Sequence, residues 1–168
     1  MTQKLSSLNH YSWQANEFGY EFETESGNRI SVLFFDSTDQ IKIIADGTRF
    51  YSLSIENQWK NAHRKVNESD EKTRNTILLI LSEFFDKNDG VLLFVVLDSV
   101  DGKERARERL FFGTWYKNFG TYVCDMVALP AVDLEGIRII SYLMFPKNFL
   151  NKKPVLDAME AYIQESFG

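Results

Sequence analysis

The sequence predicts an α+β fold: a mainly antiparallel sheet, begun by an N-terminal meander, with about three helices packed chiefly on one of its faces. Three observations predict it. Between residues 17 and 55 apolar and polar side chains alternate with period two, broken by turn residues, which is the mark of half-buried strands. Around residues 70–87 apolar residues recur at intervals of three and four, the stripe of an amphipathic helix. Then Val91 to Leu97 are all apolar and stop at Asp98, as in a strand covered on both faces that feeds a further helix.

The elements follow in order. Residues 1–16 are mainly polar, with Tyr11 and Trp13 as the only large rings, and are expected as a flexible tail, or as an irregular lead-in pinned by those two. From Glu17 to Thr24, Phe18, Tyr20 and Phe22 alternate with Glu17, Glu21 and Glu23. Ser26-Gly27-Asn28 supplies a tight hairpin turn. In the return strand, Arg29 to Asp36, Ile30, Val32 and Phe34 share one face and Leu33 and Phe35 the other. Ser37–Gln40 reads as a turn and Ile41–Ala45 as a short third strand. Asp46-Gly47 signals a second hairpin, and Tyr51, Leu53 and Ile55 form a fourth strand at period two. Residues 57–70 connect sheet to helix. Ser69 or Asp70 caps that helix; Ile77, Ile80, Leu81, Phe84 and Phe85 form its stripe, widened by Leu78 and Leu79. Asn88 to Gly90 ends it in a left-handed turn. The buried strand 91–97 comes next. Asp101, with Glu104 three residues on, opens the second helix in the manner of a capping box, and that helix runs to about Lys117. Thr121–Leu129 and Gly136–Phe145 are strands linked by a loop through Pro130 and Asp133. A last helix starts at Asn151 with Pro154 in its first turn and an inner stripe of Val155, Met159, Tyr162, Ile163 and Ser166. A split βαβ arrangement around 91–129 is the alternative topology.

One domain, 1–168, accommodates all of this. A chain of 168 residues buries about 70% of its unfolded surface and folds without a metal or disulfide. Fourteen Phe point to a core built from rings. The net charge of −5 argues against broad nucleic-acid binding, which leaves a basic footprint, and the short run Lys60, His63, Arg64, Lys65 reads as a solvated connector. Cys124 is the single cysteine, so no intramolecular disulfide forms. The N-terminus shows no signal-peptide pattern, and no apolar run approaches the roughly 20 residues that span a bilayer. The expected place is the cytoplasm, away from membranes.

The stretch after the buried strand holds the candidate site. On the expected helix Arg105, Arg109, Phe112 and Tyr116 share a stripe, while Ala106, Leu110 and Gly113 form another and Phe111 and Trp115 a third. Asp98 and Asp101 then stand near two guanidinium groups. The helix N-terminus around Ser99 offers free N–H groups to an anion, and Arg105 and Arg109 suit bidentate contact with one. Asp98, Ser99, Asp101, Arg105, Arg109 and Tyr116 are therefore the candidate ligand-binding residues. The competing reading is a structural ion-pair network. Arginines at i and i+4 repel unless compensated; Asp101 pairs with Arg105, and the acids oppose an anion. Asp98 and Asp101 sit three apart, a spacing at which two carboxylates can share a hard cation, but the calcium-loop pattern is missing, as are the Walker, G-x-G-x-x-G and G-x-S-x-G motifs. Neither His10 nor His63 has a Cys or His at ligand spacing. No catalytic residue, metal or cofactor is assigned.

The order of elements around SEFFDKNDGVLLFVVLDSVDGKERARERLFFGTWY resembles a family of small uncharacterised bacterial proteins known chiefly from Bacteroidetes. The residues that carry the likeness are Phe84, Phe85, Asp98, Ser99, Asp101, Gly102, Arg109, Phe111, Trp115, Tyr116 and Pro154. It covers most of the chain, is specific from about 75 to 116, and departs between 117 and 136. It implies a domain type and no reaction.

The function expected from these readings is that of a non-enzymatic binding or protein-interaction module, since no catalytic constellation is recognisable. Its simplest form is a homo-oligomer joined through an uncovered sheet face or edge; the partner is otherwise unspecified. The alternative is a pocket at the turn 98–109 that binds an anionic or phosphate-bearing small molecule, with or without catalysis.

Overall fold

The computed structural model describes residues 7–41, 48–58, 71–98, 116–118, 120–150 and 152–167. Their strands are β1 (Trp13–Ala15), β2 (Gly19–Glu23), β3 (Arg29–Asp36), β4 (Phe50–Gln58), β5 (Val91–Asp98), β6 (Cys124–Ala128), β7 (Val132–Leu134) and β8 (Ile137–Pro146). They form one sheet in the order β1-β2-β3-β4-β5-β8-β6, with β7 also paired to β8. Every pairing is antiparallel except β4 with β5. Among the described residues two helices exceed one turn, α1 (Glu71–Lys87) and α2 (Lys152–Phe167). The helix expected from Asp101 to Lys117 lies outside the described residues except at its end, where Tyr116–Asn118 makes a single turn.

The meander forms where the alternation puts it, with an addition and a correction. Trp13–Ala15 pairs with Tyr20–Phe22, so β1 stands in the lead-in, and Tyr11 is buried. The Tyr11 N–H donates to Thr76 Oγ1 at 2.9 Å, Asn75 Nδ2 donates to the Asn9 carbonyl at 3.0 Å, and Trp13 Nε1 donates to Glu83 Oε2 at 3.2 Å. The lead-in is thus held by polar residues of α1 that its apolar stripe does not advertise. At the hairpin, Gly27 has φ 85° and its N–H donates to the Thr24 carbonyl at 2.9 Å. The expected third strand does not separate β3 from β4: those two pair directly, Arg29–Asp36 against Tyr51–Gln58. Ile41 closes a 3₁₀ turn, Thr38–Ile41, and 42–47, including the expected second hairpin, lies outside the described residues.

From β4 the chain crosses through α1 to β5, which lies parallel beside it. The strand 91–97 is accordingly internal, between β4 and β8, as its apolar run requires. α1 ends differently from expectation. None of Asn88, Asp89 and Gly90 takes a positive φ; instead Asn88 Nδ2 donates to the Phe84 carbonyl at 3.0 Å. Gly90 is small because the Tyr51 ring would stand 2.5 Å from a Cβ there. The loop expected between the last two strands contains β7. Its turn is Glu135-Gly136, with φ 51° and 85°, a two-residue connection with both residues left-handed. β5 and β6 both run antiparallel to β8, which lies between them. They are therefore parallel to each other, the strand arrangement of a split βαβ unit, with 99–115 outside the described residues.

Side-chain alternation divides the core in two. Phe22, Ile30, Val32, Leu53, Leu92 and Met144 pack with Ile77, Leu78, Ile80, Leu81 and Phe84 of α1. Phe50, Val91, Leu93, Leu143 and Phe145 pack with Val155, Met159 and Ile163 of α2. Adjacent residues of one strand point to opposite faces, so Leu92 and its neighbours Val91 and Leu93 belong to different layers. α1 and α2 therefore cover opposite faces, which corrects the expectation of helices chiefly on one face. Ser166, the last member of the expected α2 stripe, is exposed.

Candidate functional site

Of the six candidate ligand residues, Ser99, Asp101, Arg105 and Arg109 lie outside the described residues. Asp98 is the last position of β5, in register with Arg138 of β8, and Arg138 is in turn in register with Asp133 of β7. The row Asp98–Arg138–Asp133 thus runs across three strands. Arg138 was not legible as a neighbour of Asp98, because the two meet only through strand pairing.

Tyr116 sits elsewhere. Its hydroxyl donates to the Cys124 carbonyl at 2.6 Å and accepts the Met126 N–H at 2.9 Å, in the place a further strand would take on the outer edge of β6. Its ring lies on Gly120, where a Cβ would meet it at 2.2 Å. Burial, with Cys124 and Asp125 adding to it, pushes the phenol up to about 12. Met126 is level with Met144 and Leu92, and Asp98 is six positions further along β5, so about 20 Å separates the two rows. Among the described residues, then, Tyr116 and the Asp98 row are not brought together. The phenol acts as an edge clamp, which blunts a strand that would otherwise present free backbone groups.

A second polar group joins β6 to α2. Asp125 accepts from Lys152 Nζ at 2.6 Å and from Lys147 Nζ at 3.0 Å. The hydrogen bond from Lys152, then that from Lys147, holds its carboxyl below the usual carboxylate range. This anchors the first turn of α2, and the carboxylate already occupies both ammonium groups. Cys124 beside it is buried, and that burial pushes its thiol up to about 12, away from the thiolate that would react.

Among the described residues, the outer face of the meander, opposite α1, is covered by neither helix. No side chain of β1, β2 or β3 belongs to the cluster beneath α2. At one end of this face Phe18 and Phe35 lie with ring centroids 5.3 Å apart, 50% and 37% exposed, beside half-buried Leu33. Phe18 leaves the face expected for it because it precedes β2 in the Asn16–Gly19 turn, closed by the Asn16 N–H to the Gly19 carbonyl at 2.9 Å. At the other end Glu21 and Glu56 flank Ser31, and Glu23 stands opposite Arg29. Gln14 Nε2 donates to Glu21 at 2.9 Å. A shallow hollow of about 280 Å³ opens here, with Ser12, Gln14, Glu21, Glu23 and Arg29 among its walls. The sequence showed this glutamate alternation; the aromatic pair depends on the turn at Asn16.

No helix among the described residues is long and apolar enough to cross a membrane. No curated protein and no solved structure matches the chain. A family of unknown function matches residues 69–160, from just before α1 into α2, and so takes in the stretch 75–116 on which the family likeness was most specific; the meander precedes it. With more than half of its length matched, the chain belongs to that family of unknown function, DUF6169.

Proposed function

We propose that the protein is a non-enzymatic interaction module that binds a protein partner on the outer face of the meander. The observation that carries this reading is the Phe18–Phe35 pair, two exposed rings in contact on a face that neither described helix covers. Aromatic side chains are enriched at protein interfaces and dominate their energetics. A contiguous exposed apolar patch is costly in water unless something else uses it. The alternative, an anionic ligand at 98–109, gains a guanidinium from Arg138 in register with Asp98, but also gains the Asp133 carboxylate on the other side of it; the interaction reading is the stronger.

The test is site-specific photo-cross-linking in the cells that make the protein, with benzoylphenylalanine in place of Phe35 or, as control, of exposed Gln164 on α2. A discrete adduct from position 35 and none from position 164 is expected. No adduct at 35, or the same adducts from both positions, ends this reading.

A further inference from the structure

We infer that the outer meander face takes an extended segment of a partner protein, with lysine or arginine at one end and bulky apolar side chains about four residues away. The inference rests on the interaction reading above and adds the chemistry of the partner.

The argument is one of layout. Ser31, Leu33 and Phe35 are alternate residues of β3 and share this face. Ser31 lies in register between Glu21 and Glu56, and Leu33 between Gly19 and Ser54. Carboxylates thus sit at the Ser31 row and rings at the Phe35 row, four residues or about 13 Å further along the strand. A ligand in extended conformation has the same rise and turns alternate side chains to one side. It brings a cation to the first row and an apolar group to the second only if the two are about four residues apart. The row between them is Gly19, Leu33 and Ser54, two of them small, and Ser31 is buried beneath its glutamate neighbours, so no bulky polar group stands in the way of such a segment.

Charge selects the occupant. Arg29 is the one described cation on this face, and it stands opposite Glu23; no described cation stands against Glu21 and Glu56. A second copy is disfavoured, because a two-fold interface uses the same patch on both chains; the one described cation that patch offers, Arg29, already stands opposite Glu23, and both chains carry a net charge of −5. Nucleic acid and anionic lipid surfaces are repelled for the same reason. A partner segment with lysine or arginine complements the acidic row and suppresses wrong partners through it.

The experiment uses the full chain and a rhodamine-labelled octapeptide with arginine at positions 1 and 3, leucine at 5 and 7, and serine elsewhere. Fluorescence anisotropy is read at low and at physiological salt. Saturable binding is expected, weaker at the higher salt. It should fall several-fold, up to about tenfold, in E21Q/E56Q and in F35S. The same peptide with glutamate for arginine should not bind. Near-ultraviolet dichroism confirms that the variants are folded, and E21Q/E56Q keeps the size of both side chains, one half-buried and one exposed. No binding of the arginine peptide, equal binding of the glutamate peptide, or indifference to E21Q/E56Q overturns the inference. So does a dimer in light scattering that F35S abolishes. In each of these cases the broader interaction reading is judged separately, by the cross-link at position 35.

Discussion

At the scale of single residues, Tyr116 shows how a side chain serves as a strand. Its hydroxyl satisfies one carbonyl and one N–H of β6. Replacing it with phenylalanine keeps the ring on Gly120 and orphans both backbone groups. Y116F should therefore lose about 1–3 kcal/mol, measured by urea unfolding at neutral pH. The same phenol gives an alkaline signature. The folded chain holds its proton up to about 12, while the unfolded chain, with an ordinary value of 10.0, releases it earlier. The unfolded state then binds fewer protons, so stability falls as pH rises from about 10 toward 12. Cys124 adds loss of the same sign. Y116F should flatten the decline without abolishing it; an unchanged slope would remove Tyr116 from the account. The acid and base spacing after β5 is a local pattern of the sequence, and the residues that carry it from Ser99 to Arg109 lie outside the described ones. The register partner Arg138 and the edge role of Tyr116 were not legible, since both arise only when β8 inserts between β5 and β6.

At the scale of elements, alternation is legible and tightness is not. Period two announces β2, β3 and β4, and the 3.6-residue stripe announces α1 and α2. β1 is three residues long, too short to show a period, and β7 hides behind Glu135, a side chain seldom chosen for a left-handed turn. Glycine separates two kinds of constraint. Gly136 has φ 85° and nothing within 4 Å of a would-be Cβ, so alanine there meets backbone strain alone, about 1–2 kcal/mol. At Gly19 a Cβ would stand 2.1 Å from the Val32 carbonyl oxygen. That is backbone of the paired strand and cannot swing aside, so G19A must spread β2 from β3 at a cost of about 3 kcal/mol or more. Urea titration of the two variants should rank G19A as clearly the worse. Equal losses would mean that the meander is looser than its register implies.

At the scale of the molecule, one sheet is the floor of two cores, and that determines how it comes apart. Which helix takes which face is absent from the local pattern, because a stripe states that a helix is covered but not by which side of which strand. The answer lies in β4, β5 and β8. Tyr51, Leu92 and Met144 lie under α1, and Phe50, Val91, Leu93, Leu143 and Phe145 under α2. Losing either helix exposes strands that carry the other core on their reverse, so neither half has a floor of its own. Ile80 and Met159, each fully buried on its own side, test this. I80A and M159A should each cost about 2–5 kcal/mol, and each should lower a single urea transition with its slope unchanged. Amide exchange should place the slowest protons of β3 and β8 at the same free energy of opening, and both variants should lower it together. If M159A instead split the transition and left the β3 amides protected, the two layers would be separate folding units, and the strands they share would not be what couples them.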